Sequence, residues 1–245
     1  MGADALKQAL DAGAAALGLT LSPTSQGQLL RYLEMLQRWS RVYNLTAVRE
    51  PQAMLVHHVL DSLSVVPALA RFRGSAPTVP TPGAGQPGES SAESPGADSE
   101  PVLRMADIGS GAGLPGLVLA VACPAVRVWC VDAVAKKISF IRQAAAEMGL
   151  PSVQAVHTRV EDWVDPEADG FDMVVSRAYA SLGDFVSSTG HLLAPHGAWL
   201  AMKGRHPADE IAALPPEVEV FHVEPLEVPG LDAQRCVVWM KKRSH

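Results

Sequence analysis

Cysteine, aromatic side chains and positive charge are all scarce in this chain. Its three cysteines, Cys123, Cys130 and Cys236, show no metal-like pairing, which argues against a disulfide scaffold or a thiolate zinc site. Cys130 falls inside the strand-like run VRVWCV and reads as core. Long apolar runs are lacking too: Arg, His, Asp or Pro interrupts each of them, short of the roughly 18 residues a membrane span needs. No membrane partner is expected. The N-terminus, MGADALKQALDAG, lacks the basic, apolar and cleavage regions of a signal peptide, so the chain reads as cytoplasmic. A net charge of −6 excludes a basic field over the whole surface. Residues 1–73 carry 7 Lys/Arg and 5 Asp/Glu, residues 74–101 carry 0 and 4, and residues 102–245 carry 13 and 17. Any nucleic-acid contact must therefore use a local patch.

What is present is a globular composition, 48% apolar and 19% charged over 245 residues, enough to bury one substantial core. Residues 74–101, rich in Gly, Pro, Ser, Ala and acid, have little to bury and are expected to be a disordered linker. Before it, residues 1–73 read as a helical extension. QLLRYLEMLQRWSRVY has apolar residues at 29, 30, 33, 36 and 39, a helical stripe. A second helix starts near Pro51 and a weaker one covers residues 4–17.

After the linker, strand-like and helix-like runs alternate through residues 102–245. Strands are expected near 102–108, 126–131, 152–156, 171–176 and 197–203, with helices near 114–122, 135–148 and 182–193. That order predicts a parallel, doubly wound α/β sheet. Two further strands, 218–224 and 234–241, flank a PG turn and predict an antiparallel hairpin at one edge. By fold analogy, a Rossmann-like sheet ending this way is the usual class I methyltransferase layout.

The stretch RMADIGSGAGLPGLVLAV breaks into glycine after Asp107. Gly109, Gly111 and Gly113 permit positive φ and close approach of a ligand at the carboxyl end of the first strand. Gly111, Gly113 and Gly116 also fit the dinucleotide pattern, and Asp132 at the end of the second strand suits the ribose of NAD or of S-adenosylmethionine. The loop alone leaves both cofactors, or a plain structural turn, open. The acid at Asp107 and the terminal hairpin favour S-adenosylmethionine.

The segments RVYNLTAVREPQAMLVHHVLDSL, DIGSGAGLPGLVLAV, VVSRAYASLGDFV and MKG resemble, in order and context, the RsmG (GidB) family. The resemblance spans nearly everything except the linker and the extreme ends; the linker and Ser110, where many members carry Thr, depart from the family pattern. It implies a 16S rRNA methyltransferase acting on N7 of guanine 527 in the small ribosomal subunit, with S-adenosylmethionine as donor. By position it also implies Gly109 and Leu114 on the glycine-loop side of the cofactor, Val160 and Glu161 beside the adenine, and Arg177 at the cofactor.

The residues agree with that chemistry. SRAYA stands where exocyclic-amine methyltransferases carry a Pro-Pro-aromatic loop, and Cys123 ends a helix rather than serving as a nucleophile. Guanine N7 offers a lone pair and no proton to remove, so positioning dominates over acid–base catalysis. Arg177, Lys203 and Asn44 are the positioning candidates. Each also has a plainer reading: an ion pair for Arg177, a solvated side chain for Lys203 and a turn cap for Asn44. Of His57 and His58, one is expected to face the core or the domain contact. Lys136, Lys137 and Arg142 read as a solvated helix face, and Tyr179 as a base-stacking or a core residue. Arg31, Arg38, Arg41 and Arg49 make the helical extension the expected rRNA surface, and the chain is expected to act as a monomer. A small-molecule methyltransferase and a non-enzymatic RNA-binding module are the competing functions.

Overall fold

A computed structural model of the protein describes residues 2–72 and 102–243; the expected linker lies outside the described residues. The N-terminal part is helical: α1 (Ala3–Ala16), α2 (Pro23–Tyr43) and a rod spanning Pro51–Phe72. Ser22 caps α2 by accepting the Ser25 N–H at 3.0 Å, with Pro23 in the first turn. Glu50 does the same for the rod, accepting the Ala53 N–H at 2.8 Å ahead of Pro51. Both are the arrangements that supply a helix's orphan donors and use proline where no N–H is needed. The rod runs through α3 (Pro51–Met54), a π turn (Leu55–Leu60), α4 (Asp61–Leu63) and α5 (Val66–Phe72).

That rod bears on the expected lack of a membrane span. At 22 residues it is long and apolar enough to cross a membrane by length and composition, yet His57, His58 and Asp61 interrupt it and most of it is buried within the protein. Leu55, Val59, Leu63 and Val65 pack into the core instead.

The remainder is the predicted α/β sheet. Its elements are β1 (Leu103–Ile108), α6 (Gly116–Ala122), β2 (Val126–Asp132), α7 (Ala135–Met148), β3 (Val153–His157), β4 (Phe171–Arg177), α8 (Leu182–Thr189), β5 (Leu193–Lys203), α9 (Ala208–Ala212), β6 (Val218–Pro225) and β7 (Cys236–Lys242). The order is β3-β2-β1-β4-β5-β7-β6. The first five strands are parallel, and β7 inserts between β5 and β6, antiparallel to both. The direction of winding reverses between β1 and β4, which opens a crevice at their carboxyl ends.

Alternate residues along each strand feed opposite layers. Met105, Val128, Met173 and Leu200 face a layer made of α6, α7 and the N-terminal helices. Ala106, Trp129, Val174 and Trp199 face the layer containing α8. Residues 2–72 thus share a core with the sheet. The expected helix at 182–193 stops earlier, at Thr189, and gives way to a 3-10 turn before β5 starts at Leu193. The short α9 carried no sequence signal.

Candidate functional site

The loop after β1 holds Gly109, Gly111 and Gly113 at φ of 66, 58 and 80°. A Cβ on Gly109 would meet nothing closer than the Tyr179 ring at 3.9 Å, and one on Gly111 only the Gly109 carbonyl at 3.9 Å. These two positions present bare backbone to open space, a cradle for a ligand. Farther along, a Cβ on Gly116 would press on Asp107 Oδ2 at 2.7 Å and Cys130 Sγ at 2.9 Å, so that glycine serves packing.

Three side chains fix the loop. Tyr32 of α2 donates its hydroxyl to the Ala112 carbonyl at 2.9 Å. Asp132 accepts the Gly111 N–H at 3.0 Å and the Val134 N–H at 2.9 Å, and pairs with Lys137 at 3.3 Å. Asp107 accepts the Gly116 N–H at 2.9 Å, while its other oxygen has no hydrogen-bond partner among the described residues. The structure thus corrects the placement of Asp107. It lies wholly buried beneath the loop, because Gly116 lets the following helix settle onto it. Burial pushes its pKa up to about 7, with the Gly116 N–H and Arg177 pulling the other way.

Two hollows flank the loop and share Gly109. The smaller, about 220 Å³, lies on the β2 side and is lined by Asp132, Val160, Glu161 and Tyr179 among others. The larger, about 650 Å³, lies between the loop and the N-terminal segment. Gly111, Leu114, Lys137, Arg177, Lys203 and Arg235 face it, together with His57, His58 and Asp61. Among the described residues no group of three or more His, Cys, Asp or Glu side chains could hold a metal ion.

Arg177, at the end of β4, donates to the His57 carbonyl at 2.9 Å and to Asp61 Oδ2 at 3.0 Å. Arg235 donates its Nε–H to the other oxygen of Asp61 at 2.8 Å. Ala178, beside Arg177, takes a left-handed φ of 62° in the cavity wall, a conformation that non-glycine residues adopt at a cost. Lys203 pairs with Glu210 at 2.8 Å, and Glu210 also accepts the Leu182 N–H at 2.7 Å. His58 is the buried histidine of the pair. Its Nε2 meets the Thr46 hydroxyl at 2.8 Å, and burial, helped by Arg177, pushes its pKa down to about 4.

The expected site residues separate accordingly. Gly109, Gly111, Leu114, Asp132, Val160, Glu161, Arg177 and Lys203 line the two hollows. Asn44 does not: it ends α2 in a left-handed conformation, and its amide oxygen accepts from Arg49 at 2.7 Å. Lys137 does, although the sequence reads it as solvated. Tyr179 packs on Phe185 and hydrogen-bonds Ser188 at 2.9 Å. Asp61, Arg235 and Tyr32 were not expected. Only Tyr32 left a trace, a polar-tipped ring on the buried stripe of α2.

A doubly wound sheet with an antiparallel seventh strand set inside its edge, and a glycine cradle at the switch point, defines the class I methyltransferase fold. The sequence comparisons agree with that class. The chain belongs to the family described as rRNA small subunit methyltransferase G (GidB), matching it over residues 25–88 and 94–238. The ribosomal RNA small subunit methyltransferase G of Acidovorax sp. (strain JS42) is 53% identical over 235 residues, 96% of this chain and 95% of the relative. That of Paracidovorax citrulli is 52% identical over 241 residues, 98% and 92% of the two chains. That of Methylibium petroleiphilum is 50% identical over 242 residues, 98% and 96%.

Proposed function

We propose that this protein transfers a methyl group from S-adenosylmethionine to N7 of a guanine of 16S rRNA, guanine 527, within the small-subunit particle. Family membership supports small-subunit rRNA methylation, and the position rests on the RsmG resemblance. The observation that carries the reading is the charge of the larger cavity. In a protein of net charge −6, that cavity is lined by Lys137, Arg177, Lys203 and Arg235; Asp132 and Glu210 pair with the two lysines and Asp61 alone serves both arginines, which leaves one cation in excess. A cationic chamber beside the cradle suits a polyanionic acceptor.

The residues fit the donor. Gly109 and Gly111 leave backbone open where a side chain would intrude. Asp132 spends part of its accepting capacity on Gly111, Val134 and Lys137. It would still receive ribose hydroxyls, and Val160 and Glu161 in the same hollow would lie beside the adenine. Leu114 backs the glycine loop, and Arg177 would meet the amino-acid carboxylate. When bound, S-adenosylmethionine supplies an electrophilic methyl group. The chain itself orients and desolvates. Guanine N7 needs no proton removed, so no base is required. His58 is neutral and engaged with Thr46, in keeping with a site that works by alignment.

Mass spectrometry of 16S rRNA fragments from cells lacking the gene tests this directly. Methylation at that guanine is expected to disappear, and to return with the wild-type gene but not with Gly111→Val. A methylated guanine in the deletion strain would overturn the substrate assignment.

A further inference from the structure

We propose that Arg235 binds a phosphate of the acceptor RNA and that Asp61 is the positioning residue that aims it. The inference rests on the reading that the acceptor is RNA. Asp61 sits on α4 at 2% exposure, and its two oxygens are divided between two guanidiniums, Arg177 at 3.0 Å and Arg235 at 2.8 Å. One carboxylate holding two cations leaves the trio net positive on the cavity wall. Without Asp61 the two cations would repel, and nothing else among the described contacts would hold both.

Arg235 is not consumed by this contact. Among the described residues it uses Nε on Asp61 and one terminal nitrogen on the Gln234 carbonyl at 2.9 Å, a minority of the N–H donors of a guanidinium. Its side chain is 25% exposed and lines the cavity. A planar fork held by its Nε edge can turn its remaining donors toward an oxyanion.

The sheet order says which oxyanion. The donor cradle follows β1, with Asp132 on the β2 side and Arg177 at the end of the adjacent β4. Cys236, which opens β7, pairs with Lys203 at the end of β5. Arg235 therefore stands beyond Lys203, two strands past Arg177 in the sheet order, in the wall of the cavity that Gly111 also faces. With the donor carboxylate met at Arg177, the anion left for Arg235 is the phosphodiester of the nucleic acid.

The test uses full-length wild type, Arg235→Gln, Arg235→Lys and Asp61→Asn. Three quantities are measured: Kd for S-adenosylhomocysteine by calorimetry, KM for small-subunit particles at saturating donor, and the salt dependence of particle binding. Arg235→Gln is expected to raise KM by roughly tenfold, the worth of one charge-assisted bond. It should also flatten the log–log salt slope by about one and leave Kd for S-adenosylhomocysteine within about twofold. Arg235→Lys, which keeps a charge on Asp61 and carries the test if the glutamine variant does not fold, is expected to show an intermediate KM. Asp61→Asn should raise KM and also weaken S-adenosylhomocysteine, because Arg177 loses its anchor. An unchanged KM and salt slope in Arg235→Gln would overturn the proposal, whether or not the melting temperature falls. So would a loss of S-adenosylhomocysteine affinity in step with KM, which would move Arg235 to the donor site. Wild-type protein that binds S-adenosylhomocysteine yet leaves particles unmethylated would instead sink the acceptor reading, and this inference with it.

Discussion

Each end of the sheet carries buried arginine–carboxylate chemistry, and the two ends use it differently. At the amino ends of the strands, Arg104 meets Asp165 through two nitrogens at 2.7 and 3.2 Å and lies 5.2 and 4.9 Å from the rings of Trp129 and Phe171. Asp165 also accepts the N–H groups of Glu167 and Gly170. Against the cost of burial, those bonds hold its carboxyl below the ordinary range. At the carboxyl ends, Asp61 is shared by Arg177 and Arg235, each through a single contact, and both arginines face the 650 Å³ cavity. The lesson is one of saturation. Where the carboxylate is filled by a bidentate partner and backbone, and rings cover the cation, the pair is a staple. Where donors are left over beside a cavity, the group keeps capacity for a further partner.

Substitutions should separate the two ends. Arg104→Met leaves Asp165 buried without its cation and should lower unfolding free energy by about 3 kcal/mol or more. Urea titration would measure that, with S-adenosylhomocysteine affinity of the folded fraction changed by less than about twofold. Gly111→Val has the opposite profile. It puts a branched side chain into the cradle at positive φ, so donor affinity should fall by roughly a hundredfold. Calorimetry would read a larger effect on binding than on the melting temperature.

A subtler difference concerns pH. Asp107, at about 7 when folded, binds its proton more tightly than in the unfolded chain. It therefore contributes stability at low pH that is lost as pH rises from about 4 through 7. His58, at about 4 when folded, contributes stability above its unfolded pKa of about 6.5, lost as pH falls toward 4. The two slopes oppose one another between pH 4 and 6.5. Asp107→Asn, which can still accept from Gly116, should make stability rise more steeply with pH across that window, and His58→Gln should make it fall. Urea midpoints at several pH values would show either change, and parallel curves for both variants would refute the assignment.

The smallest effect is expected on α2. Arg31 is tied to Glu34 and Glu147, and Arg49 to Ser40 and Asn44. Arg41, exposed on the last turn, is the better test of the helical extension as an rRNA surface. Arg41→Glu should change the salt slope of particle binding by about one to two without altering the melting temperature. An unchanged slope would place the RNA elsewhere.

What could be read in the sequence was local in origin. Alternating strand and helix patterns gave the sheet, and glycine spacing gave the cradle. A charged residue at a strand's carboxyl end placed Asp132, Arg177 and Lys203 beside the two hollows. What escaped depends on contacts between distant residues. Asp61 meets Arg177 across 116 positions and Arg235 across 174, and no periodicity encodes such a meeting. Lys137 looks like any lysine on an exposed helix face until Asp132 is seen to draw it into the cleft. The π turn in LVHHVL has no composition of its own. Asp107 misled because an acid before glycines looks like a ligand, whereas the glycine nine positions later had already buried it.

The short α6 helix carries an architectural consequence. All seven of its residues are buried, since the sheet covers one side and α2 and α4 cover the other. A helix that is greasy all round has no face fit for water. A fragment trimmed to residues 102–245, however complete its list of site residues, would carry a naked oily seam where those helices had lain, and would clump rather than work.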